Sequence, residues 1–345
     1  MFDLHSALKS KPAKWLVTGA AGFIGSNLCI ALIDAGHTVL GLDNLATGQR
    51  RNISDIEQRA ELSPSGSFRF IEADICDFAA CQTAVKDIDY VLHQAALGSV
   101  PRSIGNPIAS HQANVNGFLN MIYSASNAKV KRFVYASSSS VYGDSQELPK
   151  VEQRTGNVLS PYAATKAINE VYAGVIQRTY GMECVGLRYF NVFGARQDPN
   201  GQYAAVIPRW LLSLLKNEAI IVNGDGTTSR DFCYIDNVVQ ANLRAALRPR
   251  AFETAEVFNI AFGQRTTLLE LASELRESLA TAEGKTNGQM LSPVKHVDFR
   301  AGDVLHSLAD ISHAQAELGY APTHSLAQGL SITSPWYFQN QDRLI

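Results

Sequence analysis

Through the first half of the chain, short apolar runs alternate with longer stretches whose apolar positions recur at helical spacing. Trp15–Thr18, Val39–Asp43, Phe68–Glu72, Tyr90–His93, Phe133–Ser137 and Cys184–Arg188 read as strands. The intervening Gly22–Ala35, Cys81–Lys86, Ile108–Ala125 and Tyr162–Thr179 read as helices. Continuously apolar strands separated by helices predict a parallel sheet covered on both faces. A doubly wound α/β domain of the Rossmann type meets that requirement. After about Asn191 the pattern loosens; helices are predicted at Ile207–Lys216, Asn237–Leu247 and Leu268–Ala280, and the polar Thr281–Ser292 as a loop. The expected organisation is a Rossmann domain over 14–190 and a smaller α/β lobe over 191–340, sharing one cleft across an interleaved boundary.

The bulk numbers narrow the classes of function. A length of 345 residues, 46% hydrophobic and 18% charged, is that of an ordinary globular protein. Net charge of -2 argues against a nucleic-acid or acidic-membrane partner, though a few local arginines suffice for a phosphate. The N-terminal stretch lacks a charged start followed by an apolar run, and no apolar run approaches a bilayer's thickness. Cys29, Cys76, Cys81, Cys184 and Cys233 form neither a disulfide framework nor a zinc spacing, so reduced thiols in a cytoplasmic protein are expected, with no metal.

Three glycines carry the first chemistry. Gly19, Gly22 and Gly25 follow the first strand and open the first helix, in the order strand, Gly-x-x-Gly-x-x-Gly, helix. Such a turn lets backbone approach a pyrophosphate, while the helix N-terminus offers N–H groups and a positive dipole end. The next strand ends at Asp43, where a carboxylate accepts from ribose hydroxyls and repels a 2′-phosphate, so NAD is predicted over NADP. The competing role for Asp43 is a turn cap before Asn44. Asp74, after the third strand, is placed to face the adenine.

The strand from Phe133 runs into four serines, Ser137 to Ser140, at its carboxyl end, the edge where open α/β sheets bind ligands. Further on, Tyr162 and Lys166 lie four residues apart on a predicted helix and so share a face. A phenol titrates near 10 in isolation, but an ammonium and a cationic nicotinamide ring beside it would pull it toward neutrality. So tuned, it can take a proton from a sugar hydroxyl as hydride leaves.

With those residues in view, the chain resembles the extended short-chain dehydrogenase/reductases, and within them the nucleotide-sugar 4-epimerases of the UDP-galactose and UDP-N-acetylglucosamine type. The resemblance runs from Trp15 to about Tyr320. It includes the glycine turn, His93–Ala96, Asn114–Gly117, the Ser–Tyr–Lys set, Arg188–Gly194, Asn223–Asp231 and Asp298–Asp303. Ala96–Arg102 is closest to the UDP-N-acetylhexosamine epimerases of bacterial surface-polysaccharide pathways. The resemblance implies Ser138 as the catalytic serine with Ser139 as fallback, Tyr162 as base, and Lys166 as its partner and nicotinamide-ribose ligand. It implies NAD contacts from Gly19, Gly22, Phe23, Ile24, Gly25, Asp43, Asn44, Asp74, Ile75, Gln94, Ala95, Ala96, Asn114 and Tyr189. On the substrate it implies Ser99, Val100, Arg102, Asn191, Val206, Asn223, Asp303 and Ser307, with Arg230 and Arg300 clamping the diphosphate. For both arginines, ion pairing between the lobes is the alternative.

The same resemblance implies retained NAD, a transient 4-keto sugar and hydride return to its other face. Dehydratases of this fold carry acidic residues just after the catalytic serine; Ser139 and Ser140 stand there instead, which favours epimerisation. The small Ser307 borders the sugar pocket in the related pattern and admits an N-acetyl group, so UDP-GlcNAc/UDP-GalNAc is the expected substrate pair. The alternatives are the uronate form, which Arg102 would suit, UDP-glucose, and a non-enzymatic NAD-binding regulator. A homodimer through a four-helix bundle is implied, with Phe118, Leu119, Ile168 and Val175 on the pairing helices.

Overall fold

The computed structural model describes residues 2–201, 204–285, 292–298 and 305–344. Seven strands form one parallel sheet: β1 Lys14–Thr18, β2 Thr38–Asp43, β3 Ser67–Glu72, β4 Tyr90–His93, β5 Arg132–Ser138, β6 Glu183–Tyr189 and β7 Glu256–Ile260. Their order is β7-β6-β5-β4-β1-β2-β3. The chain winds outward from β1 to β3, returns to β4, and winds the other way. The strand order therefore reverses between β1 and β4, and ligands bind in the crevice beyond that point.

Alternation along the strands splits the apolar residues between two cores. Trp15 and Val17 of β1 face one, with Val39, Leu92, Val134 and Leu187. Leu16 faces the other, with Val91, Phe133, Tyr135 and Cys184. Helix α1 (Phe23–Asp34) and helix α4 (Ile235–Leu247) cover the first face. Helices α2 (Gly117–Asn127) and α3 (Pro161–Tyr180) contribute Met121, Ile122, Ala173 and Ile176 to the second. Burial on both faces is why the central strands are so apolar; edge strand β3, with Ser67, Arg69 and Glu72, is not.

Three expectations change. The single helix over Ile108–Ala125 is instead Pro107–His111, a π-helical segment Gln112–Asn116, and then α2. Phe118 does not face outward: it is fully buried, with its ring 5.5 Å from His93 and 5.3 Å from Tyr135. The helix predicted at Leu268–Ala280 continues to Ala282, so the loop predicted from Thr281 begins later. Its N-terminus is a capping box between Thr267 and Glu270, in which each side chain meets the other's backbone N–H.

The remainder packs beside the carboxyl ends of β6 and β7. Helices Val206–Leu215, Leu268–Ala282 and Leu326–Gln339 pack on one another, and the first also meets a two-stranded parallel pair, Ile220–Asn223 with Val294–Val297. The short pairs Val192–Phe193 with Cys233–Tyr234, and Ser229–Arg230 with Thr266–Thr267, connect this part to the sheet. Strand β7 itself returns from this half of the sequence to the sheet edge beside β6. Among the described residues no helix is long and apolar enough to cross a membrane.

Candidate active site

The crevice is built from the turn after β1. Gly19 adopts φ +70°, and a Cβ there would lie 2.8 Å from the Ala95 nitrogen and 2.9 Å from the Gln94 carbonyl carbon. A Cβ at Gly25 would lie 2.0 Å from the Gly19 oxygen. Only glycine permits this approach of helix to turn. Gly22 caps α1 without a side-chain acceptor, leaving the first N–H groups of a twelve-residue helix for a ligand.

Gly19, Gly22, Asp43, Asn44, Asp74, Ile75, Gln94, Ala95 and Ala96 line one end of the crevice. Asp43 is buried; its oxygens accept from Ala21 N at 3.0 Å and Leu45 N at 2.8 Å, so the turn-cap role is real and burial raises its pKa. Carboxylate lone pairs remain for a ribose. Asn44 donates to Asp74 at 2.8 Å, and Asp74 also accepts from Cys76 N at 2.7 Å. Burial works against ionisation of Asp74, but these bonds outweigh it and its pKa is lowered. The cradle and the two carboxylates fit a dinucleotide with a free ribose 2′-hydroxyl.

The other end is lined by Phe23, Ile24, Gly25, Gly98, Ser138, Tyr162, Lys166, Tyr189 and Asn191. Ser138 is the last residue of β5; its Oγ accepts from Ser140 N at 3.1 Å and from Ser140 Oγ at 2.9 Å. Ser139 lies in the following 3₁₀ turn and is not among the lining residues, while Ser137 is buried and donates to Glu170 at 2.5 Å. Of the four serines, Ser137 and Ser138 line this end, and Ser138 is the one that hydrogen-bonds Tyr162. Pro161 starts α3 behind the N-cap Ser160, whose Oγ accepts from Ala163 N at 3.1 Å, and this fixes Tyr162 in the first turn.

Lys166 is buried, donates to the Ala136 carbonyl at 2.8 Å, and sits 5.9 Å from the Tyr162 ring centre. Burial lowers its pKa to about 8, opposed by Glu170 one turn on. Burial raises the phenol's pKa at Tyr162, and the Ser138 hydrogen bond only partly offsets this; the expected fall toward neutrality calls for the cationic nicotinamide ring as well. Lys166 does not by itself bring the phenol toward neutrality. Glu170, unforeseen from the sequence, is held bidentately by Arg188 at 2.9 and 2.8 Å.

Gln94 and Tyr189 meet over the crevice floor. Tyr189 Oη donates to Gln94 Oε1 at 3.1 Å and accepts from Asn242 Nδ2 at 2.9 Å, and Asn242 of α4 was also unforeseen. Asn114 sits in the π-helical segment rather than on the crevice wall. It accepts from Leu97 N at 2.7 Å and donates to Thr165 Oγ1 at 3.1 Å, tying the Ala95–Gly98 loop to α3. Its side chain is consumed in that fastening. A helix Val100–Gly105, absent from the sequence reading, follows the N-cap Ser99 and carries Val100 and Arg102; its Ser103 Oγ accepts from Tyr162 N at 3.0 Å.

On the far side, Asn191 donates to the Asp231 carbonyl at 3.1 Å. Arg230 Nη1 donates to the Ser229 and Leu305 carbonyls at 3.0 and 3.2 Å. Ser307 N donates to Ser229 O at 3.1 Å, which sets the Ser307 segment beside Arg230. Val206 opens its helix and Asn223 closes its strand; neither lines the crevice around Tyr162. Arg300 and Asp303 lie outside the described residues. Among the described residues there is no cluster of His, Cys, Asp and Glu suited to a metal ion.

Comparison with known proteins sets this geometry in context. Residues 15–261 match the model of the NAD dependent epimerase/dehydratase family. The structure resembles a UDP-N-acetylglucosamine 4-epimerase from Methanobrevibacter ruminantium M1, at 35% identity and TM-score 0.84, over 96% of this chain and 99% of that one. It also resembles a UDP-glucuronic acid 4-epimerase from Bacillus cereus, at 31% identity and TM-score 0.81, over 94% and 99%. A UDP-glucose 4-epimerase from Mycolicibacterium smegmatis is 34% identical over 95% of this chain and 99% of its own length.

Proposed function

Because the chain belongs to the NAD dependent epimerase/dehydratase family, we propose that it interconverts the C4 epimers of a UDP-N-acetylhexosamine, UDP-GlcNAc and UDP-GalNAc, with NAD retained between turnovers. The coarser statement, an NAD-dependent UDP-sugar 4-epimerase and therefore an isomerase, follows from kinship. The finer one is argued from the cleft. The acetylated sugar rests on the small Ser307, and one juxtaposition carries the 4-epimerisation: Ser138, Tyr162 and Lys166 share a crevice with the glycine turn, and neutral Ser139 and Ser140 follow Ser138.

In this reading NAD, when bound, supplies a hydride acceptor and donor and places a cationic ring beside the phenol. Tyr162 takes the C4 hydroxyl proton as the C4–H bond breaks, and returns it once the keto sugar has turned over. Ser138 hydrogen-bonds the same sugar oxygen. Lys166, anchored on the Ala136 carbonyl, adds positive charge that favours the phenolate. Without an acidic group at 139 or 140 to drive elimination, the keto sugar leaves only by regaining hydride. Asn191 and Arg230 then hold the diphosphate, and Ser307 leaves room for the acetamido group.

The relatives divide over the sugar, so the test is a panel. Purified protein without added cofactor is incubated with UDP-GlcNAc, its uronate and UDP-glucose, and the epimers are resolved by proton NMR. UDP-GlcNAc is expected to turn over fastest, and Ser307→Tyr to slow acetylated sugars about tenfold to hundredfold while sparing UDP-glucose. Faster uronate turnover would shift the assignment toward a carboxylate held by Arg102. Equal losses on acetylated and plain sugars would defeat the Ser307 argument.

Two copies are expected to pair through Ile104, Ile108, Val171 and Val175, which are exposed by 63%, 71%, 66% and 39% on adjoining helices. Buried Phe118 takes no part. Sedimentation at micromolar concentration should give a dimer in the wild type and a monomer in Ile108→Glu/Val171→Glu.

A further inference from the structure

Asp231 is fully buried, and backbone N–H groups grip its carboxylate. Oδ1 accepts from Phe262 N at 3.1 Å and Gly263 N at 3.2 Å; Oδ2 accepts from Gly263 N and Ala309 N, both at 3.2 Å. Phe262 and Gly263 follow the carboxyl end of β7. Ala309 lies two residues beyond Ser307. The Asp231 carbonyl accepts from Asn191, just past β6, at 3.1 Å. The residue before it is Arg230, which reaches Leu305 O at 3.2 Å, and Ser229 Oγ meets His306 Nδ1 at 2.9 Å. The Asp231 side chain thus ties the Arg230 segment to the Ser307 segment and the end of β7, and its main-chain carbonyl adds the segment after β6, making a single wall.

From this arrangement we propose that Asp231 is the positioning residue of the substrate half of the cleft, fixing Asn191, Arg230 and the Ser307 segment in the geometry that holds the sugar diphosphate. The proposal rests on the UDP-sugar reading above. It goes beyond it by separating the two halves of the cleft. The glycine turn, Asp43 and Gln94 make no bond to Asp231, so NAD retention is independent of it. Burial pushes Asp231 up to about 7, and the N–H groups of Ala309, Gly263 and Phe262 oppose this.

Asp231→Asn tests it, since the amide keeps the shape but turns a donor toward N–H groups. UDP binding by calorimetry and the KM for the UDP-sugar are both expected to weaken at least about tenfold. The kcat is expected to stay within about twofold and NAD content to match the wild type. A merely structural role would lower NAD content and kcat along with affinity, and that result, or unchanged UDP binding, overturns the proposal. If Asp231→Asn does not fold, hydrogen exchange on the wild-type holoenzyme decides. The amides of Phe262, Gly263 and Ala309 should exchange as one group and slow on adding UDP; indifference to UDP overturns the proposal. Wild-type protein that binds UDP but epimerises no UDP-sugar would defeat the functional reading and leave the wall intact.

Discussion

A methyl group at Gly25 tests how the dinucleotide seat is built. An ideal Cβ there lies 2.0 Å from the Gly19 oxygen, 2.7 Å from its carbonyl carbon and 3.0 Å from Ala20 Cα. All three are backbone atoms, so no rotamer relieves the clash, and α1 must back away from the turn by more than about an ångström. That carbonyl is pinned by Gly22 N at 3.0 Å, while Gly19 N donates to Leu42 O at 2.8 Å, so the turn cannot yield without losing a bond. Overpacking costs about 1–3 kcal/mol and a lost hydrogen bond about 1 kcal/mol more. Gly25→Ala should therefore destabilise by roughly 2–4 kcal/mol, a fall in Tm of about 3–6 °C for a chain of 345 residues. Because the displaced element carries the phosphate-facing N–H groups, NAD content should fall further than stability does. Gly105→Ala is the control, since nothing lies within 4 Å of a Cβ at that position. Scanning calorimetry and NAD released on acid denaturation give both numbers. Wild-type NAD content in Gly25→Ala, with Tm within about 1 °C, would refute the reasoning.

Tyr162→Phe removes the hydroxyl beside Ser138 and should lower kcat by about 10²–10⁴-fold at unchanged NAD content; a loss smaller than about fivefold would remove Tyr162 from the proton-transfer step. For Lys166 the folded pKa of about 8 lies below the usual lysine value. Between the two, the unfolded chain holds a proton the native state has released, so this contribution to stability is fully present above about 10.4 and is lost as pH falls through about 8. Lys166→Met should abolish that component, no more than about 3 kcal/mol, in paired urea titrations of NAD-free protein at pH 7.5 and 10; parallel curves for the two proteins would contradict it.

Much of the Rossmann half was legible because buried parallel strands leave nothing polar to obscure them. All six predicted strands are present, and β4 matches end to end. β7 was not foreseen, since its partner β6 lies far away in sequence and Glu256–Ile260 carries no turn signal of its own. The helix Arg50–Glu61 was also missed; it is largely polar, with Ile53 and Ile56 as its buried apolar residues. The π-helical break at Asn114 is invisible to periodicity, because it inserts a residue without changing composition. At the site, the Tyr162–Lys166 spacing could be read directly. Glu170 lies one turn further along the same face, and its spacing is legible in the same way, but its partner Arg188 comes from β6. Asn242 and the Asp231 clamp were not available: their partners come from distant segments, and backbone donors leave no trace in sequence. Arg300 and Asp303 rest on resemblance alone.

The central claim is that C4 is oxidised and re-reduced within one cleft. Its most direct test is to incubate the protein, without added cofactor, with UDP-GlcNAc deuterated at C4 in ordinary water. NMR of the epimer should show deuterium retained quantitatively at C4, because the hydride that leaves is the one that returns. Loss of the label to solvent would contradict transient oxidation at C4 and the roles given to Ser138, Tyr162 and Lys166.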